Sequence, residues 1–185
     1  TRSGPAGLTG VDKTRGVFGG DQYGDVIDYV TVASLGSASD FGNRINEARN
    51  CAACSNGTRG VFAGGYIHLG PSAGTDDMDY ITIATTGNAN VYGDMTVVSE
   101  ARCGVSNSTR GLIAGVYPSD NVIDYVTVAS TGDASDFGNL TLYLNNQQSG
   151  TVAVSNLTKA EVYGGFTQGV STRDNIDYVT IASTG

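Results

Sequence analysis

Apolar and polar residues alternate along this chain in short runs without a helical stripe. The run Val26-Ile27-Asp28-Tyr29-Val30-Thr31-Val32 sets the pattern. It is rich in β-branched and aromatic residues, and apolar groups fall at both parities. Such a run predicts a strand covered on two faces. The phrase returns as Met78-Asp79-Tyr80-Ile81-Thr82, Ile123-Asp124-Tyr125-Val126-Thr127 and Ile176-Asp177-Tyr178-Val179-Thr180. Its Asp residues recur at intervals of 51, 45 and 53 residues. A period of this size marks a fold built from copies of one supersecondary unit. Residues repeated in every copy then read as architectural, and unrepeated ones as candidates for function.

Each copy has four parts. The first is an Arg followed by small and apolar residues, as in Arg49-Asn50-Cys51-Ala52 and Arg102-Cys103-Gly104-Val105. The second runs from Thr-Arg-Gly to a Gly-rich end, as in Thr14-Arg15-Gly16-Val17-Phe18-Gly19-Gly20. It is worn in the fourth copy, at Thr158-Lys159-Ala160-Glu161. The third is the Asp-Tyr phrase. The fourth follows a Gly turn: Asp40-Phe41-Gly42-Asn43, Val91-Tyr92-Gly93-Asp94 and Asp136-Phe137-Gly138-Asn139. Each part reads as a short strand bounded by turn residues. Gly is 27 of 185 residues, which disfavours helices because each interior Gly costs about 1 kcal/mol there. The expectation is an all-β chain with almost no helix.

Four strands per copy match one blade of a β-propeller. The Val-Phe-Gly-Gly strand end, the Asp-Tyr strand and the Arg opening the next copy resemble kelch repeats. The resemblance covers nearly the whole chain. It departs at the fourth strand, where kelch carries a Trp and this chain has Phe41, Tyr92 and Phe137. The runs Thr14–Gly20, Ala48–Gly60 and Asn121–Thr141 look like the kelch-like repeats of virion and tail-associated proteins of marine phages, particularly those infecting cyanobacteria. The resemblance implies a kelch-like propeller with blades near 1–47, 48–100, 101–145 and 146–185, the last incomplete after Gly185. The count fits either a four-bladed ring or part of a longer propeller, with an open or partner-closed edge at the fourth blade. It further implies a structural or host-contact protein of a phage particle, whose partners are other virion proteins or copies of itself. The alternative is a secreted or surface-bound bacterial carbohydrate-binding propeller.

Composition narrows the partners. The formal net charge of −8 disfavours nucleic acid and anionic membrane surfaces. No apolar run approaches the ~20 residues of a membrane-spanning helix. Arg15, Arg59, Arg110 and Lys159, with Arg2, Arg49 and Arg102, are expected to pair with repeat carboxylates such as Asp28, Asp79, Asp124 and Asp177; the alternative for each Asp is to accept from backbone amides. The repeat Tyr29, Tyr80, Tyr125 and Tyr178 are expected to pack between blades. Sequons at Asn56, Asn107 and Asn156 share one repeat position and read as copies of the unit rather than glycan sites; Asn139 is a fourth.

Candidate chemistry is thin. The chain has one His, His68, and no P-loop, so no catalytic group and no cofactor is implied. Cys51, Cys54 and Cys103 read as small buried groups. A Cys51–Cys54 disulfide is an alternative, and a metal site lacks a second ligand pair. Asp76, Asp77 and Asp79 form an acidic run without the alternating pattern of a Ca²⁺ loop. Binding is expected instead in the loops between second and third strands, which differ in every copy and sit on a rigid scaffold. Tyr23, Tyr66, Tyr117 and Phe166 recur there, with His68 beside them. They suit an aromatic rim for stacking on a sugar or packing on a protein; the competing reading is that each covers its own blade.

Overall fold

The computed structural model describes residues 5–10, 13–21, 23–68, 73–99, 103–116, 120–141, 152–163 and 176–183. Sixteen strands and no helix occur among them. The first sheet joins β1 (Ala6–Thr9), β2 (Arg15–Gly19), β3 (Val26–Thr31) and β4 (Ser39–Asn43) in sequence order. The second holds β5 (Ala48–Arg49), β6 (Ala52–Ser55), β7 (Arg59–Ile67), β8 (Ala73–Thr82) and β9 (Asn90–Ser99). Here β5 and β6 both pair with β7, because Asn50 takes a positive φ of 56° and breaks the inner strand. The third sheet joins β10 (Cys103–Ser106), β11 (Arg110–Val116), β12 (Asp120–Thr127) and β13 (Ser135–Asn139). The fourth joins β14 (Val152–Ser155), β15 (Lys159–Tyr163) and β16 (Ile176–Thr180). Neighbouring strands within each sheet are antiparallel. The second hairpin is longer than the sequence suggested: Tyr66, Ile67 and residues 73–77 lie in strands, not in a loop.

Register decides which way each repeated residue points. Val17 lies opposite Tyr29, and Phe18 opposite Asp28. The same offsets recur as Val61–Tyr80 with Phe62–Asp79, Leu112–Tyr125 with Ile113–Asp124, and Glu161–Tyr178 with Val162–Asp177. Opposed residues share a face, and adjacent residues do not. Arg and Tyr therefore project from a forward face, and Asp from a rear face.

Successive sheets stack forward face to rear face. Val17, Ile27 and Phe41 pack with Phe62, Ile81 and Ile83 of the second sheet. Val61, Met78 and Tyr92 pack with Ile113, Val126 and Val128 of the third. Leu112, Ile123 and Phe137 pack with Val162 and Ile181 of the fourth. The inner strands follow suit, with β6 against β1, β10 against β6 and β14 against β10. Tyr29, Tyr80 and Tyr125 meet Phe41, Tyr92 and Phe137 edge-on at 6.1, 6.2 and 6.2 Å. The fourth-strand aromatics Phe41, Tyr92 and Phe137 are thus core residues.

Polar residues repeat the joint just as regularly. Arg15 lies 4.3 Å over Tyr29 and donates to the Ile83 carbonyl of the next sheet at 2.8 Å. Arg59 lies over Tyr80 and donates to Val128, and Arg110 lies over Tyr125 and donates to Ile181. This corrects the expected pairing of repeat Arg with repeat Asp, because the two project from opposite faces. Asp79, Asp124 and Asp177 instead hold the chain that arrives from the preceding sheet, each accepting from a backbone amide there. Asp124 accepts from Thr96 N and Oγ1 at 3.2 and 2.5 Å, and Asp177 from Thr141 N and Oγ1 at 2.9 and 2.6 Å. Asp79 accepts from Ile45 N at 3.0 Å and from Arg44.

At the outer edge, Gly87 N donates to Phe41 O, and Gly132 N to Tyr92 O. A Cβ on Gly42 would lie 2.4 Å from Gly87 O, and one on Gly93 2.4 Å from Gly132 O. At the inner hairpins, Asn56, Asn107 and Asn156 each accept from the two backbone amides two and three residues on. These side chains close turns, which gives the three equivalent sequons a structural role.

Candidate functional site

The loop between second and third strands brings two of the expected residues together. Tyr23 follows β2 and His68 follows β7, so they come from adjacent sheets. Their rings meet edge-to-face at 5.1 Å with an interplanar angle of 85°. Both are exposed, Tyr23 at 68%. An edge-to-face contact fixes the orientation of two rings while leaving a π-face to solvent. The sequence placed both residues at the candidate rim but did not show that they touch. The signal for the pair was its repeat offset, since both follow the second strand of their unit.

Tyr66 does not join them as a free rim residue. It is half-buried in β7, opposite Arg49 of β5, whose guanidinium lies 4.7 Å over its ring. Tyr66 therefore covers its own sheet, as the competing reading had it. Tyr117 and Phe166 lie outside the described residues.

The acidic run resolves into separate roles. Asp79 is buried and bound to Arg44. Asp77 accepts from Thr75 Oγ1 at 2.5 Å and Asn46 Nδ2 at 2.7 Å. Asp94, from the outer strand, joins Asp76, Asp77 and Asp133 in an exposed negative patch. Lost solvation, then repulsion from Asp76, Asp133 and Asp77, raises the Asp94 carboxyl above its ordinary range. Sequence missed Asp94 and Asp133 because they come from a different strand and a different sheet. Among the described residues, no three His, Cys, Asp or Glu are grouped to hold a metal ion.

The cysteines are buried and unbridged. Burial pushes the Cys54 thiol up to about 12, so it is neither a nucleophile nor a ready ligand at neutral pH. A cleft of about 210 Å³ opens between the first two sheets at the far end of β2. Gly, Thr, Ala, Ile83 and Arg15 line it, without a carboxylate, imidazole or thiol.

No family model and no curated protein matches this chain. The functional reading therefore rests on geometry. Arg15, Arg59 and Arg110, the Tyr29, Tyr80 and Tyr125 beneath them, and Asp79, Asp124 and Asp177 are engaged in joints between sheets. Tyr23 and His68 are exposed and held against each other in loops that differ from copy to copy.

Proposed function

We propose that the chain is a kelch-like β-propeller, or part of one, acting without catalysis as a structural and contact component of a phage particle. Four like sheets stacked forward to rear through the same contacts support the propeller reading. The sequence resemblance to phage virion proteins supports the location. The observation that carries the contact role is the Tyr23–His68 pair, two exposed rings from adjacent sheets held at a fixed angle. Such a pair presents a flat π-face suited to a neutral sugar ring of a host surface glycan. The net charge of −8 turns anionic surfaces away. Affinity per chain is low, and many copies on one particle raise it.

Two measurements test this. Mass spectrometry of purified particles should find the chain at a fixed stoichiometry; its absence overturns the virion role. A glycan array with the purified protein should show binding that Tyr23→Ala and His68→Ala each weaken. Binding unchanged in both variants overturns the site. A secreted bacterial adhesion module would use the same pair, and the particle measurement separates the two.

A further inference from the structure

The joint between sheets is made three times inside the chain, and both of its halves are also left bare. On the rear face, Ile83, Val128 and Ile181 are buried against the preceding sheet. Val32 holds the same position in the first sheet and is 57% exposed. On the forward face, Leu8, Cys54 and Val105 are buried, as are Ile27, Met78 and Ile123. Their counterparts in the fourth sheet, Val154 and Ile176, are 50% and 56% exposed, and Tyr178 is 72% exposed. The rear of the first sheet and the front of the fourth do not cover each other.

We infer that these two faces are the halves of an intermolecular joint, in which the fourth sheet of one copy packs on the first sheet of a second copy. The argument is continuity with an interface the molecule already uses three times. The Val32 carbonyl stands where Ile83, Val128 and Ile181 accept from Arg15, Arg59 and Arg110. Lys159 stands where those arginines do and already lies over Tyr178 at 5.6 Å. Such a contact is heterologous, so it closes a ring of copies or runs on as a filament.

One residue sets its strength. Glu161 occupies the forward position that Val17, Val61 and Leu112 fill, and all three of those are buried. Glu161 is exposed and accepts from the Tyr163 hydroxyl. Burying its carboxylate against an apolar face weakens the joint relative to the internal three. The contact is therefore reversible, and Glu161→Val should tighten it about tenfold or more.

Light scattering across a concentration series of the whole chain reads this out. The expected result is concentration-dependent association, stronger in Glu161→Val. Val32→Glu and Tyr178→Glu should each be monomeric, since each spoils one half of every contact. Mixed together they should form a two-chain species, because the intact front of the first meets the intact rear of the second. Phe18→Glu, at the rear-face position that Phe62 and Ile113 fill buried in the internal joints, serves if Val32→Glu fails to fold. A chain that stays monomeric both as wild type and as Glu161→Val overturns the proposal. So does association that survives the face variants, or a mixture that stays monomeric while the wild type associates. The inference does not depend on host contact, and Tyr23→Ala should leave it unchanged.

Discussion

Arg44 donates Nε to both carboxylate oxygens of Asp79, each at 3.1 Å, and both side chains are all but sealed from solvent. The pair closes the joint between the first two sheets. At the equivalent Asp124 and Asp177, Thr96 and Thr141 stand in the place of Ile45 and add a hydroxyl to the backbone N bond, with no Arg beside them. An ion pair is thus one of two ways to build the same joint.

That difference sets an asymmetry. Asp79→Ala leaves a buried guanidinium unpaired and should cost about 3–5 kcal/mol. Arg44→Leu combined with Ile45→Thr substitutes the Leu140-Thr141 form used at the third joint, keeps the backbone N bond at residue 45, and should cost clearly less. Urea unfolding of the two variants checks the order. Equal losses would mean that the Arg packing, including its contact with the Phe62 ring at 5.4 Å, matters more than the charge.

The arginine stack predicts a second effect. Arg110 sits over Tyr125 at 4.5 Å and bonds to the Ile181 carbonyl at 3.0 Å. Arg110→Lys keeps the charge but loses the planar fork that does both at once. A loss of about 1 kcal/mol is expected, and about 2 for Arg110→Ala. Tyr125→Leu in the Arg110→Ala background should then cost less than it does alone. A double-mutant cycle by chemical denaturation reads the coupling.

Glycines at the outer edge give a contrast. Gly42 has φ +146° and a virtual Cβ 2.4 Å from Gly87 O. Gly42→Ala therefore combines backbone strain with a clash against backbone, and should cost about 3 kcal/mol. Gly36 heads the corresponding turn of the first sheet, where a Cβ would meet nothing within 4 Å. Gly36→Ala should fall within about 0.5 kcal/mol of wild type. Thermal unfolding distinguishes the two, and similar losses would count against the docked turn.

Much of this was legible before any coordinates. The four-part repeat, the strands and the absence of helix followed from the spacing of Asp28, Asp79, Asp124 and Asp177 and from the turn glycines. The shared place of Phe41, Tyr92 and Phe137 was visible in the spacing, and the structure adds that all three are buried. The Arg–Asp pairing failed through neglect of parity: Asp28 and Tyr29 are adjacent, so Arg15 reaches only one of them. Alternation alone contains that answer. Tyr66 lies in a strand rather than a loop because the β7–β8 hairpin continues past a bulge between Ala63 and Gly65, and a bulge leaves little trace in a single sequence. The Tyr23–His68 contact joins two sheets, and sequence spacing does not report which loops meet.

The buried thiol and phenol predict how stability depends on alkali. The Cys54 thiol is raised by burial from 9.0 to about 12. The Tyr92 hydroxyl is raised from 10.0 to about 12, first by burial and then by Cys54, against a lowering by Arg59. It donates to the Thr127 carbonyl at 2.7 Å, a bond that ionisation removes. Both folded values lie above the unfolded ones, so the folded chain holds these protons when the unfolded chain has released them. The stabilisation is complete below pH 9 and is lost as pH rises from 9 towards 12. The urea midpoint should be flat from pH 7 to 9 and fall steadily above it. Cys54→Val removes one of the two groups and should make that fall shallower. An unchanged slope in Cys54→Val would show that this thiol is not titrated by unfolding.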